Sequence, residues 1–174
     1  MKPLGDLLAD NYHITIIDLP GFGKSKEPEV VLDVGDYTKI VHSLLEKLKV
    51  KKPTLIGHSF GGRISICYGA SYEVDKLVLC GAPCVKIKKE LTLKERMLKT
   101  AKKLPGMEKL SEIAKNYIGS TDYKNASPIM RDILVKTVNE DLSNYAKKIK
   151  VPVILIWGEY DEAVPLEEAK MLEK

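Results

Sequence analysis

The stretch that decides the predicted fold is TLIGHSFGG, at residues 54–62. It joins a short apolar run to a G-x-S-x-G pattern centred on Ser59, and an apolar helical segment follows. A serine at the tip of a sharp strand-to-helix turn needs small residues two positions before and after it, because the two backbones pass closely. The first N–H groups of the next helix then favour negative charge beside the serine. We therefore predict a buried strand, a strained turn carrying a nucleophilic serine, and a helix that begins near Phe60.

Four short apolar runs predict strands that are covered on both faces. These runs are Tyr12–Asp18, Thr54–Gly57, Lys76–Cys80 and Val153–Trp157. Helical patterns separate them, and the pattern before the second run follows Asp36, which we predict to be its N-cap. The alternation of strand and helix favours an α/β fold with a parallel sheet and helices on both faces.

The alternation stops between residues 85 and 150, where only helical segments are predicted. Thr92–Glu95 has the pattern of a capping box that opens a helix, and Pro105 followed by glycine would end it. Ser127, followed by a proline, predicts the start of another helix. We therefore expect a helical cap inserted into the core, over the active site. The predicted divisions are core residues 1–84, cap residues 85–150 and core residues 151–174.

Composition limits the class of protein. The chain has 174 residues, of which 44% are hydrophobic and 30% charged, as is typical of a soluble globular protein. No apolar run approaches the roughly 20 residues that cross a bilayer, and no signal peptide is recognisable. Cys67, Cys80 and Cys84 do not pair evenly and lack a second ligand pair for a metal. We therefore expect reduced thiols, a cytoplasmic protein, and no metal or cofactor.

The net charge of +4 is unevenly distributed. Residues 84–150 carry 16 Lys and Arg against eight Asp and Glu. Such a segment could attract nucleic acid, a membrane surface or an anionic substrate. Because few aromatic residues are interleaved there, we favour exposed helices with lysine-rich faces. We expect a small-molecule substrate, and neither nucleic acid nor a membrane as a partner, while the oligomeric state is left open.

Two other turns could carry chemistry. Residues 18–25, DLPGFGKS, end like a phosphate-binding loop, but Asp18 stands where that motif needs a glycine and Pro20 interrupts it. The last apolar run leads into a turn that holds Asp161, 102 residues after Ser59. An acid after a late strand fits the order Ser, Asp, His, in which the acid orients a histidine ring. Glu159 is an alternative acid, and either residue could instead be a plain turn former.

Together these motifs resemble the α/β-hydrolase fold superfamily. The matching pieces are the turn at 18–25, the elbow at 57–62, KLVL with GAP at 76–83, and the Trp-Gly…Asp…Pro turn at 157–165. The resemblance implies that Ser59 is the nucleophile, Asp161 the triad acid and the Phe60 N–H one oxyanion donor. It also implies that the turn after Asp18 lies beside the mouth of the active site.

The sequence departs from the family pattern in its histidines. The family's triad histidine follows the acid, but none of the 13 residues after Asp161 is histidine. His58 adjoins the serine, where strand geometry directs its side chain away from it. His13 starts a predicted strand at the opposite sheet edge from the catalytic turns, and His42 lies among core positions of a helix. We interpret all three as structural residues.

The sequence also departs from the family in its strands. The family has a strand between those predicted at Tyr12–Asp18 and Thr54–Gly57, and the turn after that strand supplies a second oxyanion donor. Met1–Asp10 looks like the tail of the helix that follows this absent strand. The sequence therefore resembles a fragment with a partial core, lacking the first strands, the last strand, one oxyanion donor and the base.

The predicted function is that of a lidded serine hydrolase that acts on a small ester, thioester or amide through an acyl-enzyme. An esterase is the leading hypothesis, and an aminopeptidase or a carbon–carbon bond hydrolase is an alternative enzyme of the same family. The hypothesis from another class is a non-catalytic fragment or binding scaffold. We expect this chain alone to have little activity, because a serine hydroxyl is a poor nucleophile without a base.

Overall fold

A computed structural model describes residues 1–84 and 125–174 of the chain. Within these two ranges the order of elements is α1 (Lys2–Leu8), α2 (Val34–Lys47), β1 (Thr54–His58), α3 (Phe60–Ser71), β2 (Lys76–Cys80), α4 (Pro128–Asn139), α5 (Ser143–Ala146), β3 (Val153–Ile156) and α6 (Leu166–Glu173). Strands alternate with helices along the described chain. The predicted α/β class is confirmed.

The three described strands form one parallel sheet in the order β1-β2-β3. The central strand is paired on both sides, and its Leu77 and Leu79 are almost completely buried. Helix α3 packs against β1 and β2, and its Gly69 lies so close to the sheet that a Cβ there would be 2.9 Å from Leu77. All three carboxyl ends therefore meet at one edge of the sheet, where the candidate residues are expected.

The prediction of a strand at Tyr12–Asp18 is wrong. The backbone of residues 13–17 forms no hydrogen bond with other described backbone groups, and β1 has β2 as its one described neighbour. The physical reason is that a strand needs a partner within hydrogen-bonding distance, which an apolar pattern cannot guarantee. Instead, residues 13–17 and β1 line opposite parts of one cavity.

The N-cap of α2 also differs from the prediction. Asp33, rather than Asp36, caps the helix, because Asp33 Oδ1 accepts a hydrogen bond from the Asp36 backbone N–H at 2.9 Å. The Asp36 carboxylate accepts one in return from the Asp33 N–H at 3.2 Å. Asp36 is thus the third helical residue of a capping box. The buried face of α2 comprises Val34, Tyr37, Thr38, Val41 and Leu45.

The described part of the predicted cap is helical. Ser127 caps α4 as expected, since its hydroxyl accepts a hydrogen bond from the Met130 N–H at 3.3 Å. No strand occurs between residues 125 and 150. The helix predicted from Thr92 to Pro105 lies outside the described residues, so the division into core and cap stays a prediction. In the described ranges, no helix has the length and apolarity that a bilayer span requires.

Candidate active site

Ser59 occupies a strained turn between β1 and α3. Its backbone has φ +49° and ψ −112°, in the region of positive φ that residues other than glycine seldom adopt. A Cβ at Gly57 would lie 2.5 Å from the Gly61 carbonyl oxygen, and one at Gly62 would lie 2.3 Å from Ala82 Cβ. Small residues are therefore required at Gly57 and Gly62, but the prediction that the position two after the serine needs one is wrong, because a Cβ at Gly61 would meet no described atom within 4 Å. The predicted positive φ is confirmed, while the catalytic role of the serine stays a prediction.

The Ser59 side chain is not used to cap the helix that follows it. The Ser59 N–H donates to the Cys80 carbonyl oxygen at 3.0 Å, which fixes the turn to the end of β2. The hydroxyl does not cap α3, and the first backbone hydrogen bond of that helix runs from the Arg63 N–H to the Ser59 carbonyl oxygen at 3.2 Å. The N–H groups of Phe60 and its two successors thus have no partner within the helix. Such groups can stabilise an anion that forms beside the serine.

Aromatic contacts place the turn of residues 18–25 beside the elbow. The Phe60 ring meets Tyr37 edge-on at a centroid distance of 5.0 Å and Phe22 at 5.6 Å. The Tyr37 hydroxyl donates to the Pro20 carbonyl oxygen at 2.9 Å, and burial raises the pKa of Tyr37 to about 12. Tyr37 therefore remains a neutral donor at physiological pH. These contacts hold the turn beside the elbow, and its position at the mouth of an active site stays a prediction.

Asp161 lies at the same edge of the sheet as Ser59. Its Oδ1 accepts hydrogen bonds from the backbone N–H groups of Ala163 and Val164, both at 2.9 Å. A Cβ at Gly81 would be 3.3 Å from Asp161 Oδ2, and the Gly81 N–H donates to the Ile156 carbonyl oxygen at 3.0 Å. Asp161 thus sits above the carboxyl end of β2. One oxygen is fixed by the backbone, while the other accepts no hydrogen bond in the described ranges.

The turn around Asp161 is closed by Trp157. The indole Nε1–H donates to the Val164 carbonyl oxygen at 3.0 Å and joins the two sides of the turn. Glu159, the alternative acid, is exposed in the same turn. The anchored carboxylate of Asp161 therefore fits the orienting role better than that of Glu159. An orienting group must itself be held in place.

The three histidines lie elsewhere. The His42 ring stacks on Tyr72 at a centroid distance of 3.6 Å, and its Nδ1 is 3.1 Å from the Tyr68 hydroxyl. His13 and the exposed His58 line the cavity between β1 and residues 13–17. No described contact joins a histidine to Ser59 or Asp161. The stacked ring of His42 fits the interpretation as a structural residue, which for His13 and His58 stays a prediction.

The three cysteines are free thiols. Burial raises the pKa of Cys67 to about 12 and that of Cys84 to about 11. Burial also raises the pKa of Cys80, whose carbonyl oxygen accepts the bond from the Ser59 N–H. The thiolate is the nucleophilic form of cysteine, and the raised pKa values disfavour it near neutral pH.

Arg63 has a role that the sequence analysis missed. This residue of α3 is almost completely buried, and its guanidinium donates to the Pro83 carbonyl oxygen at 2.7 Å and the Glu140 carbonyl oxygen at 2.5 Å. Nearby, the Leu142 N–H donates to the Cys84 carbonyl oxygen at 2.9 Å. Residues 83–84 and 140–142 are therefore brought together beside the helix that follows Ser59. An arginine among the apolar residues of α3 was the available signal.

Comparisons with known proteins agree with this geometry. Residues 1–109 match the model of a protein family described as "alpha/beta hydrolase fold". The chain is 30% identical to the "Uncharacterized hydrolase YugF" of Bacillus subtilis, with 95% of this chain and 69% of that protein covered. It is 28% identical to the "Pimeloyl-[acyl-carrier protein] methyl ester esterase" of Wigglesworthia glossinidia brevipalpis, with 97% and 72% covered.

A solved structure shows the same likeness. The esterase EaEST of Exiguobacterium antarcticum superposes with a TM-score of 0.63 at 25% identity, over 88% of this chain and 66% of that chain. The chain thus spans between 66% and 72% of the length of these three proteins.

Proposed function

This chain belongs to the alpha/beta hydrolase fold family, and from that premise we propose that it is a serine hydrolase that cleaves small esters through an acyl-enzyme. One observation carries the proposal. Ser59 has φ +49°, and its N–H donates to the carbonyl oxygen of Cys80 at the end of β2. The carboxylate of Asp161 lies against Gly81, the residue that follows Cys80. The nucleophile and the acid thus share one edge of the sheet.

In the proposed mechanism, Ser59 Oγ attacks the ester carbonyl carbon and the alcohol leaves. The Phe60 N–H, free at the start of α3, donates to the oxyanion of the tetrahedral intermediate. Asp161 Oδ1 is occupied by two backbone N–H groups, so Oδ2 is the oxygen that would accept a hydrogen bond from an imidazole. Water then releases the acid from the acyl-enzyme.

The mechanism needs an imidazole that His13, His42 and His58 do not supply, because none of them lies between the serine and the aspartate. A serine hydroxyl must lose its proton during attack, and a carboxylate positioned to orient a ring is a weak base for that purpose. The proposal therefore takes the base from another polypeptide segment. The described part of the site corresponds to a nucleophile, an acid and one oxyanion donor.

Ester substrates are proposed on the names of two relatives. The protein from Wigglesworthia is named a methyl ester esterase, and the solved protein from Exiguobacterium is named an esterase. Thioesters and amides share the acyl-transfer chemistry and remain within the proposal. The alternative hypothesis is that the protein is a non-catalytic scaffold, and the same experiment tests it.

We also propose that residues 85–150 form a helical cap over this site. The described helix α4 supports the proposal, since a Cβ at Gly21 would lie 2.2 Å from Met130 Sδ. The Ser127 hydroxyl donates to Glu27 Oε2 at 2.7 Å, and Lys136 Nζ lies 3.3 Å from Asp33 Oδ2. The three free thiols are compatible with a cytoplasmic location, which we also propose.

The test measures p-nitrophenyl acetate hydrolysis by the chain and by Ser59→Ala, each with and without added imidazole. The chain alone should show little turnover that depends on Ser59. Imidazole can diffuse into the site and act as the base, so we expect the difference between the two proteins to rise with imidazole concentration. Loss of the triad base costs up to about 10⁶ in turnover in subtilisin, so even partial rescue is measurable.

The variant supplies the matched control, because imidazole also hydrolyses the ester by itself. Equal rates for both proteins at every imidazole concentration would contradict the proposal and favour the scaffold. Rapid turnover without imidazole that disappears in Ser59→Ala would show that one of the three histidines reaches the serine.

A further inference from the structure

Residues 80–84, which begin at the last residue of β2, lie between the two candidate turns and contact both of them. On one side, the Ser59 N–H donates to the Cys80 carbonyl oxygen at 3.0 Å. On the other side, a Cβ at Gly81 would lie 3.3 Å from Asp161 Oδ2. The serine and the aspartate are therefore positioned relative to each other through this short stretch, which we call the 80–84 segment.

Two buried charged side chains bind adjacent residues of the 80–84 segment. Arg63 belongs to α3, the helix after the serine, is 3% exposed and donates from Nη1 to the Pro83 carbonyl oxygen at 2.7 Å. Glu168 belongs to α6, the helix after the Asp161 turn, and is 8% exposed. Its Oε2 accepts a hydrogen bond from the Cys84 N–H at 3.3 Å. One side chain from each helix thus holds the same segment.

Stability alone does not account for these two charges. A buried charge is costly to transfer from water, and a buried ionic group often stabilises a fold no better than apolar residues of similar volume. Arg63 Nε is buried and has no hydrogen-bond partner in the described ranges, so part of that cost is not recovered. Burial lowers the pKa of Arg63, and the carboxylates of Glu140 and Glu168 are among the groups that raise it. In some proteins such groups serve to favour one arrangement of the chain.

We propose that Arg63 and Glu168 are positioning residues, which hold the 80–84 segment so that an imidazole fits between Ser59 Oγ and Asp161 Oδ2. This inference rests on the proposed function, since it concerns the geometry of the same reaction. Neither residue is assigned a step in that reaction. Both act through the backbone of the segment that they bind.

The segment is short and closely packed, so a displacement at one end reaches the other. Pro83 and Cys84 are two and three positions after Gly81, the residue that contacts the aspartate. A Cβ at Gly62 would lie 2.3 Å from Ala82 Cβ, so the middle of the segment packs directly on α3. Release of either end therefore changes the separation of the two reacting groups. A misplacement of about 1 Å can slow a reaction by about 10²-fold.

The first experiment measures imidazole-dependent hydrolysis of p-nitrophenyl acetate, as the rate in excess of that of Ser59→Ala. In Glu168→Ala the Cys84 N–H loses its acceptor. We therefore expect the imidazole concentration at half-saturation to rise at least about tenfold. In Glu168→Gln the amide oxygen can still accept this bond, and the value should return close to that of the unaltered chain. A smaller folded fraction lowers the maximal rate but not the half-saturating concentration, so a merely structural role would leave that concentration unchanged.

Two further variants complete this experiment. Glu167→Ala, at the exposed neighbouring position of α6, is the matched control and should leave the half-saturating concentration unchanged. Arg63→Lys tests the other end of the segment. It keeps the charge but lacks the planar fork that joins Pro83 to Glu140, so the half-saturating concentration should rise here too. Circular dichroism verifies that each variant is folded.

Hydrogen exchange tests the same arrangement without any chemistry. In Glu168→Ala we expect faster exchange of the Ser59 amide, which donates to the 80–84 segment. In Arg63→Lys we expect faster exchange of the Val164 amide, which donates to Asp161. Each effect crosses the segment from the substituted side to the other, and the control variant should show neither.

Three results would overturn the inference. The first is an unchanged half-saturating concentration in Glu168→Ala while turnover that depends on Ser59 is retained. The second is an equal rise in Glu167→Ala, and the third is faster exchange confined to the substituted side of the segment. Absence of turnover that depends on Ser59 in the unaltered chain would instead overturn the proposed function. Faster exchange across the segment would then still support its role in coupling the two turns.

Discussion

The turns after β1 and β3 present the two candidate side chains at the same sheet edge, but they are built in different ways. The elbow at Ser59 depends on backbone contacts so close that a Cβ at Gly57 would be 2.5 Å from the Gly61 oxygen. The turn at Asp161 depends on hydrogen bonds that backbone N–H groups donate to the Asp161 carboxylate, and a Cβ at Gly158 would meet no described atom closer than 3.7 Å. The position of Ser59 is therefore set by packing, and that of Asp161 by hydrogen bonding.

The largest effect is expected at Gly57. In Gly57→Ala the added methyl group meets backbone atoms of the elbow, which cannot move aside as a flexible side chain could. We expect the free energy of unfolding to fall by about 3 kcal/mol, at the upper end for overpacking. Urea denaturation measures it, and Gly158→Ala is the matched control in the other turn. A loss of similar size in both variants would remove the distinction between the two turns.

A smaller loss is expected at Asp161. In Asp161→Ala the N–H groups of Ala163 and Val164 lose their acceptor, so the free energy of unfolding should fall by about 1–2 kcal/mol. In Asp161→Asn the amide oxygen can still accept both bonds, and most of the stability should remain. Thermal unfolding distinguishes the variants. Equal melting temperatures for the Ala and Asn variants would show that the turn is held by other contacts.

The smallest effect is expected at Gly61, which belongs to the elbow but faces open space. A Cβ there would meet no atom of residues 1–84 or 125–174 within 4 Å. Gly61→Ala should therefore stabilise α3 slightly, by no more than about 1 kcal/mol, since alanine has the higher helix propensity. Urea denaturation of this variant beside Gly57→Ala compares two glycines of one elbow. If Gly61→Ala lowered the free energy of unfolding by more than about 1 kcal/mol, close packing would be a property of the whole turn and not of Gly57 in particular.

The sequence predicted best the features that depend on neighbouring residues. The elbow at Ser59 and the helix N-cap at Ser127 depend on residues within a few positions of each other, and the structure has both. The N-cap of α2 was misplaced by three residues because Asp33 and Asp36 are both members of the capping box. Local patterns therefore identified the element and left its first residue ambiguous.

Features that depend on distant residues could not be predicted in this way. Residues 13–17 have the composition of a strand, but pairing depends on what lies beside them in space. Arg63 binds the carbonyl oxygen of Glu140, 77 positions away in the chain, and no local pattern predicts that contact. Likewise, the approach of Asp161 to Gly81 depends on the register of β2 and β3.

The contacts of Arg63 bear on how this fold can vary. Because one guanidinium joins Pro83 to Glu140, the two ends of the intervening segment are brought together independently of its length. The entropic cost of closing a loop rises slowly, by about 0.6 kcal/mol of free energy for each doubling of the loop's length. We therefore expect segments of different length between Pro83 and Glu140 to be compatible with the same position of Ser59, which lies one helical turn before Arg63.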